Sequence, residues 1–400
     1  APVNGKRKQQ VKSGFKTKKE AEEAGIKAYN EYTQTGHSFT PATMSYSDYL
    51  DYWLENYCHV NLKYHTIQAY SNIIKNHIRP RLGFYRLTQI TTSTLQEFIN
   101  NIYLEKGYSK NFLKNILKVL KTSFGYATDK VGFIKVNPAI KVSLPKYDIP
   151  EKDPAHIFTN EEINMMLDRF KNNHAMYYAI LTAYCTGLRA AEVFALTWDD
   201  INKNVLKKNQ NRATHGRHIS GKATTVWYFG TCKTPGSYRT IEIGDTLVKA
   251  LKEYKEEQER DKLEYGDLYM KHYIKETKNY YNNKPEYKIL NAYSELEIAL
   301  KEVNLVFVKH NGVFEGTDTC KYPFKVIHYE LGINCRFHDF RETHATKLIE
   351  AGADIKAIAK RLGHSNIRTT YEIYVRVTKK MKTDTVDKFE DFANELKLCS

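Results

Sequence analysis

The sequence predicts a mainly α-helical chain with small β elements, organised in more than one domain. Three observations carry that reading. Apolar residues recur at helical spacing through most of the chain, as in Tyr49, Leu50, Trp53, Leu54 and Tyr57, and again at Ala345, Leu348, Ile349, Ile355, Ile358 and Leu362. One stretch, TTVWYFGTCKTPGSYRTIEI, alternates instead like two strands about a turn at Thr234-Pro235-Gly236-Ser237. Pro138, Pro145, Pro150 and Pro154 then leave no room for a helix, so residues 141–157 read as an extended linker. A chain of 400 residues can hold two to three such domains.

Taken in order, residues 1–19 carry Lys6, Arg7, Lys8, Lys12, Lys16, Lys18 and Lys19 and no acid. QQVKSGF reads as a strand, and Thr17 with Glu20 can form a capping box for the helix that follows. GHSFTPAT, residues 36–43, reads as a linker. Residues 44–140 should form four helices with short connections, a small bundle. Ser47 is a plausible cap of the first, Pro80 and Gly83 should end the second, and Gly107 should end the third. From Phe158 a second region begins, with Thr159 and Glu162 as a capping box. In YYAILTAYCTGLRAAEVFALTWDDI an apolar helix ends at Gly187, Arg189 follows as a held guanidinium, and a new helix carries Glu192, Val193 and Leu196. Residues 246–310 read as a long helical, charge-mixed region, and residues 305–328 as a short strand and turn.

The segment from His338 to Tyr374 bears the chemistry. It opens with His338-Asp339-Phe340-Arg341 and closes with Leu362-Gly363-His364, ten residues before Tyr374. Gly352 should end one helix and Asp354 cap the next, which gathers two imidazoles, a guanidinium and a phenol. A guanidinium matches phosphate oxygens, imidazoles move protons, and a phenol can be a nucleophile. Those parts suit phosphoryl transfer without a metal. Past the tyrosine, Val386, Phe389, Phe392, Ala393 and Leu396 mark an amphipathic helix over residues 381–400.

Composition narrows the class. A formal net charge of +15 favours a polyanionic partner. The six cysteines form no CxxC pair and no zinc-like cluster, so reduced thiols and no metal are expected. No apolar run approaches the ~20 residues of a membrane span, and the basic start lacks the apolar segment of a signal peptide.

HDFRETHAT followed by RLGHSNIRTTYEIY resembles the C-terminal signature of the tyrosine recombinases, the integrases of phages and conjugative transposons, and TGLRxxE…LxWxDI resembles their first catalytic box. The resemblance implies a truncated arm-type sheet-and-helix fragment over residues 1–36, a SAM-like helical core-binding domain over residues 44–140 and an α+β catalytic domain over residues 158–380. It further implies an exchange helix over residues 381–400 that docks on a neighbouring protomer. The chain starts without Met and within the expected sheet, so a truncated or processed start is expected.

The resemblance also assigns roles. Arg189 and Arg341 hold the scissile phosphate, His338 is the base, His364 donates to the phosphate, and Tyr374 is the nucleophile. Lys233, in CKTPGSYRTI, matches the lysine on the family's β-hairpin and is the general acid, against the rivals Lys207, Lys208 and Lys222. Tyr371 competes with Tyr374, and the family's interval of about ten after LGH selects Tyr374. DNA-contact candidates are Lys6, Arg7, Lys8, Lys63, Arg79, Arg81, Lys118 and Lys121, with His65, Lys75, Lys110 and Lys114 beside them.

The function expected is site-specific recombination through a 3′-phosphotyrosyl intermediate and a Holliday junction, with no cofactor. The partners expected are double-stranded DNA attachment sites, a homotetramer on DNA and DNA-bending or excision factors, in the bacterial cytoplasm and away from any membrane. A type IB topoisomerase and a non-catalytic DNA-binding regulator of the same fold are the alternatives.

Overall fold

The computed structural model describes residues 13–35, 44–146, 155–202, 205–207, 213–218, 225–232, 235–279 and 282–380. The chain divides into two compact units, residues 1–151 with 280–282, and residues 152–279 with 283–400.

The first unit is helical. It comprises α1 (Lys18–Thr35), α2 (Tyr46–Trp53), α3 (His59–Asn61), α4 (Tyr64–Ile73), α5 (Arg79–Leu82), α6 (Thr92–Lys106) and α7 (Lys110–Asp129). Thr17 accepts from Glu20 N at 3.2 Å at the start of α1, while the Glu20 carboxylate reaches Lys16 N rather than the cap itself. QQVKSGF lies mostly outside the described residues, as do GHSFTPAT and the basic residues Lys6, Arg7 and Lys8. Ser45, not Ser47, caps α2, its hydroxyl accepting from Asp48 N, because the helix begins two residues earlier than the apolar pattern suggests.

Single π-helical turns, Leu54–Cys58 and Ile74–Ile78, join α2 to α3 and α4 to α5. The second changes the fate of Pro80. The wider turn ends just ahead of it, and Pro80 falls in the first turn of α5, where a missing N–H costs little. The helix therefore runs on to Leu82 instead of stopping at Pro80. Gly107 does end α6, in the left-handed region that glycine enters freely.

The core of this unit is aromatic. Tyr46 stacks on Phe124 at 4.8 Å, and Trp53 stacks between Tyr57 and Tyr70. The Tyr49 hydroxyl donates to Ser123 O at 2.5 Å, which satisfies a polar group inside the bundle. Ala139 and Val142 are buried in the same core, so the segment after α7 packs on the bundle before the proline-rich stretch continues.

The second unit is mixed. Helices α8 (Asn160–Phe170), α9 (His174–Thr186), α10 (Ala190–Val193) and α11 (Asp245–Tyr265) precede α12 (Lys321–Tyr329), α13 (Asp339–Glu350), α14 (Ile355–Leu362) and α15 (Arg368–Lys380). Its strands are β1 (Ile201–Asn202), β2 (Val205–Lys207), β3 (Ala213–His218), β4 (Thr225–Gly230), β5 (Thr240–Glu242), β6 (Met270–Lys278), β7 (Pro285–Tyr293) and β8 (Lys301–Glu302). They make two sheets, β1-β2-β5 and β3-β4-β7-β6-β8, and every pair is antiparallel.

Two expectations are overturned here. The strands on either side of Thr234–Ser237 do not pair with each other: β4 pairs with β3 and β7, and β5 pairs with β2 in the other sheet. Residues 246–310 are not one helical region either, because α11 stops at Gly266 and β6 and β7, nine residues each, form a hairpin. Lysines and glutamates on its strands masked the alternation, yet Ile274 faces Ile289 and both pack with Phe229, Leu305 and Phe314. Thr159 and Glu162 form the reciprocal capping box as expected, and the buried Phe158 donates its N–H to Thr343 Oγ1 at 3.0 Å, which fixes the start of this unit on α13.

Phe124→Ala tests the aromatic core. It removes a fully buried ring and its stacking partner, and should lower stability by about 3–5 kcal/mol, read as an earlier unfolding transition in denaturant titration of the full chain.

Candidate active site

The site is built on helix ends. Helix α9 terminates at Gly187 (φ +65°) and α14 at Gly363 (φ +70°), each in the left-handed conformation. A Cβ on Gly187 would lie 2.6 Å from Leu362 Cδ2, so the two termini are in direct contact. Between them lies Arg341, from the first turn of α13, 2 % exposed. Its Nη1 donates to Gly187 O at 2.8 Å and its Nη2 to Leu362 O at 2.6 Å. Both acceptors are carbonyls at helix C-termini, where the negative end of the macrodipole favours a cation. Burial, together with the nearby Arg189 cation, pulls the guanidinium below its ordinary pKa, but it stays charged at neutral pH.

Arg189 is the residue before α10 and is partly exposed. Its Nη1 donates to Glu192 Oε1 at 3.0 Å and to Ser237 Oγ at 3.1 Å, and its backbone N donates to Glu192 Oε2 at 3.2 Å. Glu192 is 2 % exposed and also pairs with Arg239 at 3.4 Å. Arg239 Nε donates to Arg361 O at 2.5 Å.

His338 is at the start of α13, with Nε2 3.9 Å from Glu342. Its side chain is 55% exposed, yet the protein around it takes away enough solvent to hold its pKa below the usual value; Glu342 opposes that shift, and Arg341 and Arg189 reinforce it. His364 follows Gly363, and its Nδ1 shares a hydrogen bond of 2.8 Å with Thr370 Oγ1 on α15. Burial pushes its pKa down to about 4, and the positive charges of Arg341, Arg189, Arg239 and His338 add to the shift. Four of the residues expected from the sequence, Arg189, His338, Arg341 and His364, are thus brought within electrostatic reach of one another.

Tyr374 on α15 is half-buried against the cluster of Ala345, Ile349, Ile358, Leu362 and Ile373, which α13 and α14 also build. Tyr371 stacks on it at 6.0 Å between ring centres and is 53 % exposed. Lys233 and residues 381–400 lie outside the described residues, as does Lys208. Among the contact candidates of the first unit, Lys63 and Lys118 are exposed and Lys121 is half-buried. Arg79 is paired with Asp51, and Arg81 with Glu105 at 2.7 Å.

The sequence reading gave no role to Glu192, Ser237, Arg239, His344 or Arg361. His344 is held as a neutral ring: Nδ1 donates to Tyr184 O at 2.8 Å and Nε2 accepts from Arg361 Nε at 3.0 Å. Burial, with a smaller contribution from the Arg361 cation, pushes its pKa down to about 4. A signal was available, since all five fall inside the quoted motif stretches, but their partners come from distant segments. No group of three or more His, Cys, Asp or Glu able to hold a metal occurs among the described residues, and none of their helices is long and apolar enough to cross a membrane. The five described cysteines are free thiols.

The sequence pattern of the phage integrase family matches residues 156–381, more than half of the chain. The chain belongs to the phage integrase family. The pattern of the family's N-terminal SAM-like domain matches residues 45–103, and that of an arm DNA-binding domain matches residues 1–31. A tyrosine recombinase XerC-like protein of Caldanaerobacter subterraneus subsp. tengcongensis is 28% identical, over 94% of this chain and 90% of its own. Among solved structures, the Tn1549 transposon integrase in complex with transposon right end DNA superposes with a TM-score of 0.59 at 20% identity, over 83% of this chain and 95% of that one. A lambda integrase tetramer bound to a Holliday junction gives 0.53 at 17% identity, over 90% and 87%. These integrases share the fold described above, mostly helical with small antiparallel sheets.

The neutral imidazoles make the fold of this integrase acid-sensitive. A folded pKa of about 4 against an ordinary 6.5 for His344 and His364 means that the unfolded chain binds more protons between those values. Stability should therefore be complete above pH ~6.5 and fall as pH drops towards 4, by on the order of 1–3 kcal/mol for the buried His344. The check is the thermal midpoint against pH, whose fall in that window should be smaller in His344→Gln and persist in part through His364 and the buried His272.

Proposed function

We propose that this integrase cleaves and rejoins DNA at specific sites, with Tyr374 as the nucleophile and a 3′-phosphotyrosyl link as the intermediate. The observation that carries the reading is the convergence of Arg189, Arg341, His338 and His364 beside the helix that bears Tyr374. A phosphodiester in that position would meet two guanidiniums whose orientation is already fixed by Glu192, Ser237, Gly187 O and Leu362 O. Such preorganisation favours the pentavalent transition state, whose non-bridging oxygens gain charge.

His338 takes the proton of the tyrosine hydroxyl as the oxygen attacks phosphorus; its depressed pKa leaves it neutral and able to do so. Thr370 can donate to His364 Nδ1, which puts the ring proton on Nε2 for a hydrogen bond to a phosphate oxygen. The 5′ oxygen leaves with a proton from Lys233. The phosphotyrosyl ester keeps the bond energy, and a 5′ hydroxyl from a second duplex reverses the steps.

Basic residues of the helical unit would track the backbone of the attachment site. Lys110, Lys114 and Lys118 are exposed at successive turns of α7, spaced as one stripe. Lys63 is exposed too, whereas Arg79 and Arg81 would have to leave their carboxylate partners to reach phosphate. Lys6, Arg7 and Lys8 would serve a separate, distal element. We further propose a homotetramer that exchanges strands through a Holliday junction, with residues 381–400 passed between protomers and bending or excision factors as partners in the bacterial cytoplasm. The lambda integrase tetramer of the same fold supports that arrangement.

The decisive test uses a nicked duplex that traps the covalent adduct. Tyr374→Phe should bind this DNA as tightly as the parent protein and give no adduct, while Tyr371→Phe should still give one; the reverse pattern overturns the assignment. Excess EDTA should leave cleavage by the parent protein unchanged, because two arginines supply the positive charge that a divalent ion would. A loss of cleavage restored by Mg²⁺ would reject that part of the mechanism.

A further inference from the structure

We infer that Arg239 is a positioning residue for cleavage: it binds no phosphate itself and fixes the two acceptors of Arg189 to the helix end that holds Arg341. The inference rests on the proposed roles of Arg189 and Arg341 and adds what makes their spacing rigid.

Arg239 sits immediately before β5, with a side chain only 6% exposed. Each of its three nitrogens donates to protein. Nε reaches Arg361 O at 2.5 Å, Nη1 reaches Ser237 O at 3.2 Å, and Nη2 reaches Glu192 Oε2 at 3.4 Å. The last two partners are the residues that hold Arg189, through Ser237 Oγ at 3.1 Å and Glu192 Oε1 at 3.0 Å. The first partner, the Arg361 carbonyl, is one residue before Leu362, whose carbonyl takes Arg341 Nη2 at 2.6 Å. A single side chain thus spans the support of one phosphate-binding guanidinium and the support of the other.

Backbone packing at the same place agrees. The turn Pro235–Ser237 lies against the loop after α14 so closely that a Cβ on Gly363 would come 2.3 Å from Gly236 O and 3.1 Å from Arg239 Nη1. Glycine at 363, already left-handed, is what permits this approach. His364 follows directly, so the contact also sets where that imidazole stands. All three nitrogens of Arg239, Nε included, are committed to protein, and two of its three partners are the residues that hold Arg189. Its effect on the reaction must pass through the groups it holds.

A purely structural arginine and a positioning one differ in chemistry. Replacing one non-bridging oxygen of the scissile phosphate by methyl removes the negative charge that Arg189 and Arg341 are placed to meet. A variant whose defect is misplaced guanidiniums should lose less on this neutral substrate. We therefore expect Arg239→Gln to bind DNA like the parent protein and to cleave the phosphodiester slower by on the order of 10- to 100-fold. On the methylphosphonate the loss should shrink to within about 3-fold of the parent protein.

Arg189→Ala serves as the reference and should show the same relief. If Arg189→Ala is relieved and Arg239→Gln is not, the positioning role is wrong while the reading of Arg189 stands. If Arg189→Ala is not relieved, the reading of Arg189 itself fails. Should Arg239→Gln not fold, as judged by its thermal midpoint and DNA binding, the same ratio is read on Arg239→Lys, which keeps the charge but only one donor group. Full cleavage of the phosphodiester by Arg239→Lys would also overturn the inference.

Discussion

The buried guanidinium of Arg341 is the constraint on which the catalytic unit depends. A cation that is 2 % exposed must be compensated inside the protein, and here the compensation comes from two main-chain carbonyls. Those carbonyls belong to Gly187 and Leu362, so Arg341 can be satisfied only when the ends of α9 and α14 meet beside α13. The meeting in turn requires glycines at 187 and 363, because both are left-handed and a Cβ at either would strike a neighbour. A buried charge thereby becomes the organiser of three helices.

Positive charge accumulates around this point. Arg189, Arg239 and Arg341 all act on one another, and Glu192 is the buried carboxylate that pairs with two of them. Desolvation is the main cause of the shifts of His338 and His364 towards the neutral form, and the Arg189 and Arg341 cations add to both. The same surroundings that disfavour imidazolium would favour a group that brings negative charge, such as the phosphodiester of the proposed reaction.

What the sequence made legible follows from how local each constraint is. The capping box at Thr159, the left-handed ends at Gly107 and Gly187, and the Asp354 cap depend on neighbours within a few residues, and all were readable. The grouping of Arg189, His338, Arg341 and His364 was readable only through motif resemblance, since the residues lie at the ends of different helices. Strand pairing was not readable: β4 and β5 flank one turn yet belong to different sheets, and nothing in their alternation names a partner. The β6–β7 hairpin was hidden by Lys271, Lys275, Glu276 and Lys288, charges that suit a solvated helix as well as a strand. Glu192 and Arg239 went without roles because their meaning lies in each other, 47 residues apart in sequence.

Helix geometry gives the ten-residue interval from His364 to Tyr374 a physical sense. Thr370 is fully buried and bonded to His364, so it marks the face of α15 turned to the site. Ile373, 3 % exposed, and Tyr374 follow it at three and four residues, the positions that share that face. Tyr374 therefore stands one turn, about 6 Å along the axis, from the side chain that holds His364. Tyr371 is only one residue beyond Thr370, rotated by about 100° away from it, and its 53 % exposure agrees with that rotation. A deletion of two residues between Thr370 and Tyr374 would place the phenol about 200° around the helix from Thr370, off this face. The period of the helix thus puts Tyr374, and not Tyr371, on the face of Thr370.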